Sequence, residues 1–292
     1  MNLQKIKDNF NKKDGSMYGK KNIDDSLAIL FHENSKFDDV SIRKQGYKIA
    51  SFSNPYVTER SSQPFKCYSG CETIELSQYN NFNKSVDFSN LIANRRSIRA
   101  YDKNYKVSLN EINTLLFNSY GVTFNSKIVG YDIDGHIGLR NIVSAGGLYP
   151  LEVYIVVFNS HIKNGLYHYR PDTNILELIK EGAFVEELLK IVQAEPYVDM
   201  RSSCCAIITT GVIERLIIKY GDRGYRFLMQ EVGSFNQMVS LLAESINLGS
   251  CILGAFNDDK INNFIGIDGV FETVNNVIIF GGKMETNLNC EI

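Results

Sequence analysis

Apolar positions follow two rhythms along the chain, and both are clearest after residue 89. Leu228, Val232, Phe235, Val239, Leu242 and Ile246 are spaced 4, 3, 4, 3 and 4 residues apart. That spacing predicts one long helix with a single apolar stripe, which Asn247 and Gly249 end. Ser108-Leu-Asn-Glu111 has the form of a capping box, and Ile112, Leu115 and Leu116 follow at helical spacing up to Gly121. The other rhythm belongs to strands. LEVYIVVF (151–158) is β-branched and aromatic, and GLYHY and ILELI (165–179) flank a Pro-Asp turn as a hairpin does. CAIITT (205–210) and NVIIFGG (276–282) are unbroken apolar runs, expected of strands covered on both faces. Strands mixed with helices and a hairpin, without strict alternation, predict an α+β fold with a central mixed or antiparallel sheet flanked by helices.

Residues 1–88 have a different texture: Asn, Ser and Lys throughout, and only short apolar patches such as SLAILF (26–31). FHENSKF (31–37) continues a helix from that patch, whereas the prolines of Asn54-Pro55 and Gln63-Pro64 predict extended chain. Residues 1–88 therefore read as an N-terminal extension without its own large core, suited to partner docking, dimer wrapping or a lid. Residues 89–292 read as the main domain.

Composition removes several function classes. Apolar residues are 44% and charged residues 22% of the 292, which suits a globular domain without disulfides or structural metal. A formal charge of −2 gives no footprint for nucleic acid, although six lysines crowd residues 1–22 against Asp8 and Asp14. No stretch approaches the roughly 20 apolar residues of a membrane span, and the first residues lack the apolar core of a signal peptide. Cys67 and Cys71 have no second pair at zinc-site spacing and the four histidines are scattered, so no metal site is expected. Reduced thiols and a cytoplasmic location follow.

Four places carry candidate chemistry. Arg95, Arg96 and Arg99 stand within Arg95-Arg-Ser-Ile-Arg99, where guanidinium forks suit a phosphate; a solvated basic turn explains the run equally well. Arg140 precedes Ser144-Ala145-Gly146-Gly147-Leu148-Tyr-Pro, whose paired glycines permit close approach to a flat ligand or simply make a turn. This loop precedes a strand, so it is neither a P-loop nor a dinucleotide-binding fingerprint. Lys219-Tyr220 could transfer a proton if Lys219 lowers the phenol's pKa. Both side chains reach one site only near a helix end, which Gly221 supplies; the plainer reading is a surface lysine beside a half-buried tyrosine. Finally, Gly281-Gly282-Lys283 ends the last apolar run with a cation.

In order, RRSIR, R-x3-SAGGLYP, a GLYxY hairpin, KYGxRGYR, the helix EVGSFNQMVSLLAESINLG, GAF (254–256) and GGK resemble SagB-type dehydrogenases across residues 89–284. These are FMN-dependent azoline oxidases of the nitroreductase superfamily. FHENSKF and PFKCYSG (64–70) resemble the same branch. The resemblance implies a nitroreductase-like fold and an obligate homodimer with FMN between protomers and the long helix at the interface. It further implies Arg95, Arg96, Ser97 and Arg99 on the FMN phosphate and ribityl chain, with Gly282 and Lys283 assisting. Ser144, Ala145, Gly146, Gly147 and Leu148 would line the flavin ring, Gln237 would touch it, and Lys219 and Tyr220 would be catalytic.

The implied reaction turns a thiazoline or oxazoline of a precursor peptide into the aromatic azole by loss of a proton and a hydride. Tyr220 is then the base, and a YcaO-type cyclodehydratase the expected partner. Two other readings share these residues: an NADPH-dependent dehydroamino-acid reductase of lanthipeptide biosynthesis, and a flavin-free scaffold subunit.

Overall fold

The computed structural model describes residues 26–61, 65–79, 86–127 and 136–284. Gln63-Pro64 and the basic start of the chain lie outside them. The strand rhythm builds a seven-stranded sheet from β1 (Thr73–Glu75), β4 (Leu151–Val157), β5 (Gly165–Arg170), β6 (Ile175–Glu181), β7 (Cys205–Val212), β8 (Leu248–Leu253) and β9 (Glu272–Gly282). Its order is β1-β6-β5-β4-β7-β9-β8, and every pairing is antiparallel. A separate hairpin joins β2 (Val122–Lys127) to β3 (His136–Arg140).

Unbroken apolar strands occur because helices cover both faces. Val153, Ile155 and Val157 of β4 pack with Ile207 and Phe280 under α5 (Leu109–Tyr120) and α8 (Arg223–Ser245). The alternate residues Tyr154 and Val156 join Ile208 and Ile279 under α6 (Val185–Ile191) and α9 (Asp258–Ile265). The capping box of α5 forms as expected: Glu111 N–H donates to Ser108 Oγ at 3.3 Å, and Ser108 N–H to the Glu111 carboxylate at 2.8 Å.

The stripe of α8 is spent on this core. Leu228, Phe235 and Val239 are fully buried and Val232 and Leu242 nearly so, each contributing roughly 2 kcal/mol by burial. The stripe itself is therefore core of this chain. Asn247, at φ 62°, turns the chain out of the helix. Gly249 lies beyond that turn within β8, a strand that the short mixed run Leu-Gly-Ser-Cys-Ile-Leu concealed; a side chain there would strike Ile98.

Upstream, α1 (Leu27–Asn34), α2 (Asp39–Ala50) and α3 (Pro55–Ser61) bury no residue within the helices. Asn54 is extended, as its proline demands, but Pro55 opens α3 instead of prolonging the extended chain. Residues 65–76 attach to the sheet: β1 pairs with β6, Leu76 is buried, and Lys66 meets Glu272 at 2.6 Å. A further helix, α4 (Phe88–Asn94), leads into the arginine run.

Candidate active site

Two groups of candidate residues stand at opposite ends of β7. One gathers where β4 begins and β7 ends, since Leu151 pairs with Gly211 and Val212 N–H donates to the Pro150 carbonyl. There, Tyr149 N–H donates to Ser144 Oγ at 2.9 Å and Tyr149 Oη accepts the Arg140 N–H at 2.9 Å, pinning the loop at both ends. Gly146 (φ 64°) and Gly147 (φ 66°) hold left-handed backbone that side chains resist. The Leu148 side chain packs into the core, and Ala145 packs against it.

Helix α7 (Glu214–Tyr220) follows β7 and stops at Gly221, φ 56°. That stop lets neighbouring side chains turn to one place. Lys219 Nζ lies 2.8 Å from where a Cβ on Gly146 would stand, and Tyr220 Oη is closer still. Arg215 ties this helix to the loop, donating to the Tyr149 carbonyl at 3.1 Å and pairing with Glu152 at 2.5 Å. The expected effect of Lys219 on Tyr220 is not found. Burial raises the Tyr220 phenol and lowers the Lys219 ammonium, so both groups move toward their neutral forms.

Behind the loop lies a cluster that the sequence reading missed in part. Arg140 places its guanidinium carbon 4.3 Å from the Tyr120 ring centre and 4.7 Å from that of Tyr149, with Nε and Nη1 buried and unpaired. Tyr120 Oη donates to Glu231 Oε1 at 3.2 Å, whereas Glu231 Oε2 has no hydrogen-bond partner. Burial pushes the Glu231 carboxyl up to about 7, against the pull of Ser144, Tyr120 and Arg140. One clue was available: Glu231 is a charged residue beside Leu228 and Val232 on the apolar stripe.

The other group gathers where β7 begins. Ile98 N–H donates to the Ser250 carbonyl at 2.9 Å and Ser97 bridges to Ser250, a residue paired with Phe280, itself opposite Cys205. Arg96 donates to the carbonyls of Ala93 and Arg95, and Arg99 to that of Ser97. Among the described residues none of Arg95, Arg96 and Arg99 forms an ion pair, which leaves their charge for an anion. Gly282 packs against Tyr105, and Lys283 is already paired with Glu244 at 2.7 Å. Gln237 is exposed on α8 as that helix runs from one end of the sheet to the other.

At about 3.3 Å per residue, β7 runs roughly 23 Å from Cys205 to Val212, with one group near each of its ends. Unpaired guanidiniums at one end and an open glycine loop at the other suit the phosphate and the ring of a flavin nucleotide, as two half-sites rather than one. Among the described residues no cluster of three or more His, Cys, Asp or Glu could hold a metal ion, and no helix is long and apolar enough to cross a membrane.

The nitroreductase family profile matches residues 92–282, and the chain belongs to that family. Its sequence is 30% identical over 185 residues to MJ1384 of Methanocaldococcus jannaschii, a protein named for nitroreductase, covering 63% of this chain and 86% of that one. It is 25% identical over 172 residues to the microcin B17-processing protein McbC of Escherichia coli, covering 57% and 59%. A crystal structure of an Anabaena variabilis protein, also named for nitroreductase, matches with a TM-score of 0.66 at 27% identity, covering 87% of this chain but 46% of that one. A chain of the E. coli microcin synthetase McbBCD complex, solved with truncated pro-MccB17, shares the fold with a TM-score of 0.54 at 20% identity, covering 86% and 100%. The chain thus spans little more than half the length of McbC and under half of the Anabaena protein.

Proposed function

We propose that the protein is an FMN-dependent dehydrogenase of the SagB type that oxidises azoline rings in a ribosomally made peptide to thiazoles or oxazoles. The observation that carries this reading is the convergence of Lys219 Nζ and Tyr220 Oη on Gly146. Likeness to McbC, a microcin-processing protein, supports a peptide substrate. Work alongside a YcaO-type cyclodehydratase is part of the same reading.

FMN, when bound, supplies the acceptor for the two electrons that leave the azoline carbon. Arg95, Arg96 and Arg99, with Ser97, hold its phosphate and ribityl chain. Ser144, Ala145, Gly146, Gly147 and Leu148 present their backbone to the ring. The two half-sites stand at opposite ends of β7, and in this reading the arginines of one protomer serve the loop of a second. Aromatisation also removes a proton from the neighbouring ring carbon. Burial moves Lys219 toward the free amine, so Lys219 is the better base and Tyr220 orients the ring and shares the proton.

The test begins with colour: the purified protein is yellow and releases FMN on denaturation. Given an azoline-bearing peptide and oxygen, it forms the azole with loss of two mass units. Lys219→Ala and Tyr220→Phe keep FMN but lower that rate roughly 100-fold or more. Wild-type rates in both variants would remove the pair from the chemistry. A colourless protein that cannot take up FMN would overturn the whole reading, and reduction of dehydroalanine peptides by NADPH would replace it with the reductase.

A further inference from the structure

The helices α1–α3 bury no residue of their own, yet they are bolted to the candidate site by residues from two separate sequence motifs. From FHENSKF, Phe31 stacks edge-on against Tyr225 at 5.5 Å, and Ser35 is buried. From KYGDRGYR, Arg226 Nε donates to Ser35 Oγ at 2.9 Å and Arg226 Nη2 to the His32 carbonyl at 2.5 Å. Arg223 Nη1 donates to the Ser35 carbonyl at 3.2 Å, with its guanidinium over Phe37 at 5.2 Å. The two motifs are the halves of one lock.

The chain beyond that lock lands on the helix that ends in Lys219-Tyr220. Lys48 Nζ donates to the Ile217 carbonyl at 3.1 Å, which also accepts the Gly221 N–H, and the Gln45 amide donates to the Lys219 carbonyl, an acceptor that the helix C-terminus leaves open. A few residues later, the Phe52 ring centre lies 4.9 Å from Lys219 Nζ. Lys219 therefore ends between the rings of Phe52 and Tyr220, the latter 5.6 Å away, with its tip at Gly146. A lysine side chain has four rotatable bonds and a strong preference for water. Something must hold it over an open loop, and the face of an aromatic ring attracts an ammonium while excluding solvent.

We infer that Phe52 is a positioning residue: carried in by the lock between Ser35 and Arg226, its ring seats the Lys219 side chain against Gly146. The placement rests on geometry alone; its consequence for turnover rests on the role proposed above for Lys219. The N-terminal segment is by this account part of the active site.

The experiment uses the full chain with FMN bound and its lysines reductively methylated with 13C-formaldehyde, so that each dimethylamine gives a resonance. The Lys219 signal is the one missing from Lys219→Ala. In the wild type it is shifted upfield by the ring currents of its two aromatic neighbours. Phe52→Leu, which keeps bulk but removes the ring, moves it toward the position of ordinary surface lysines; Phe52→Tyr leaves it in place. Arg226→Ala, which opens the lock far from Lys219, produces the same displacement, and combining it with Phe52→Leu adds nothing further.

In unmethylated protein, Phe52→Leu lowers turnover about tenfold with little change in KM, and Phe52→Tyr restores it. A Lys219 signal unmoved by Phe52→Leu would overturn the inference. A signal that moves while Lys219→Ala retains full turnover would sustain the seat and overturn the proposed role of Lys219.

Discussion

The two ends of β7 solve opposite problems with the same strand. Where β7 begins, three arginines are placed by backbone alone: Ile98 hydrogen-bonds Ser250, and among the described residues no carboxylate meets the guanidiniums beside it. Where β7 ends, charge is confined. Glu152, Arg215, Arg140 and Glu231 gather behind a glycine loop, and the tips of Lys219 and Tyr220 converge on Gly146. The first end can collect an anion from solution because it is open and uncompensated. At the second, the groups are partly withdrawn from water and burial biases their protonation, which is what the proposed chemistry asks of them. The proposed function thus assigns affinity and reactivity to different ends of one strand, and each can be attacked without the other.

The largest effect is expected from Gly146→Ala. The new methyl group would occupy the space of Lys219 Nζ and Tyr220 Oη, the free ends of flexible side chains. They can swing away, so the fold survives, while left-handed backbone costs alanine about 1 kcal/mol. Turnover should fall roughly 100-fold through misplacement of the reacting groups, with FMN still bound. Loss of FMN instead would show that the loop serves affinity and would erase the distinction between the ends.

How much of this was legible in the sequence differs between those ends for a physical reason. The strands, the hairpin, the capping box and the α8 stripe were readable because they are local periodicities. The Lys219-Tyr220 pair was readable as a possibility, because Gly221 announced a helix end where neighbours can converge. Its meeting with Gly146 was not, since 72 residues of chain lie between that glycine and Lys219. Glu231 was visible as a charge on an apolar stripe, but not its partner Tyr120. The reading of Lys283 as a phosphate cation met a carboxylate on α8 that no spacing rule could reveal. The clue to the N-terminal segment lay in two motifs, FHENSKF and KYGDRGYR, that only the fold shows to be touching.

A smaller effect is expected at the arginine end. Arg96→Ala should weaken FMN binding about tenfold, a value near the low end for charged hydrogen bonds because Arg96 is exposed. The loss should shrink as salt rises. Turnover at saturating FMN should stay near wild type. The same variant sharpens the comparison when combined with Arg95→Ala and mixed with Gly146→Ala subunits. If arginines of one protomer serve the loop of another, a hybrid dimer contains one intact site, and at FMN too dilute to load the arginine variant a statistical mixture recovers about a quarter of wild-type activity. Sites built within one chain would recover none.

The smallest effect on the chemistry is expected from Glu231→Gln, which keeps an acceptor for the Tyr120 hydroxyl and removes only the charge. Burial raises this carboxyl to about 7 from an ordinary value of 4.5. The folded protein therefore holds a proton that the unfolded chain releases as pH rises above about 4.5, and wild-type stability falls across that window until the folded group also ionises near pH 7. Each pH unit costs about 1.4 kcal/mol, or about 3 kcal/mol over the whole interval. Glutamine has no proton to hold, so denaturant midpoints of the variant should gain on the wild type from pH 5 to 7 and then run parallel. Turnover at pH 7 should change by no more than about twofold, since Glu231 is half neutral there already. Parallel stability curves across the entire range would mean that Arg140, whose unpaired nitrogens lie in the same cluster, keeps the carboxylate ionised, and the closed end of β7 would then be held by an ion pair.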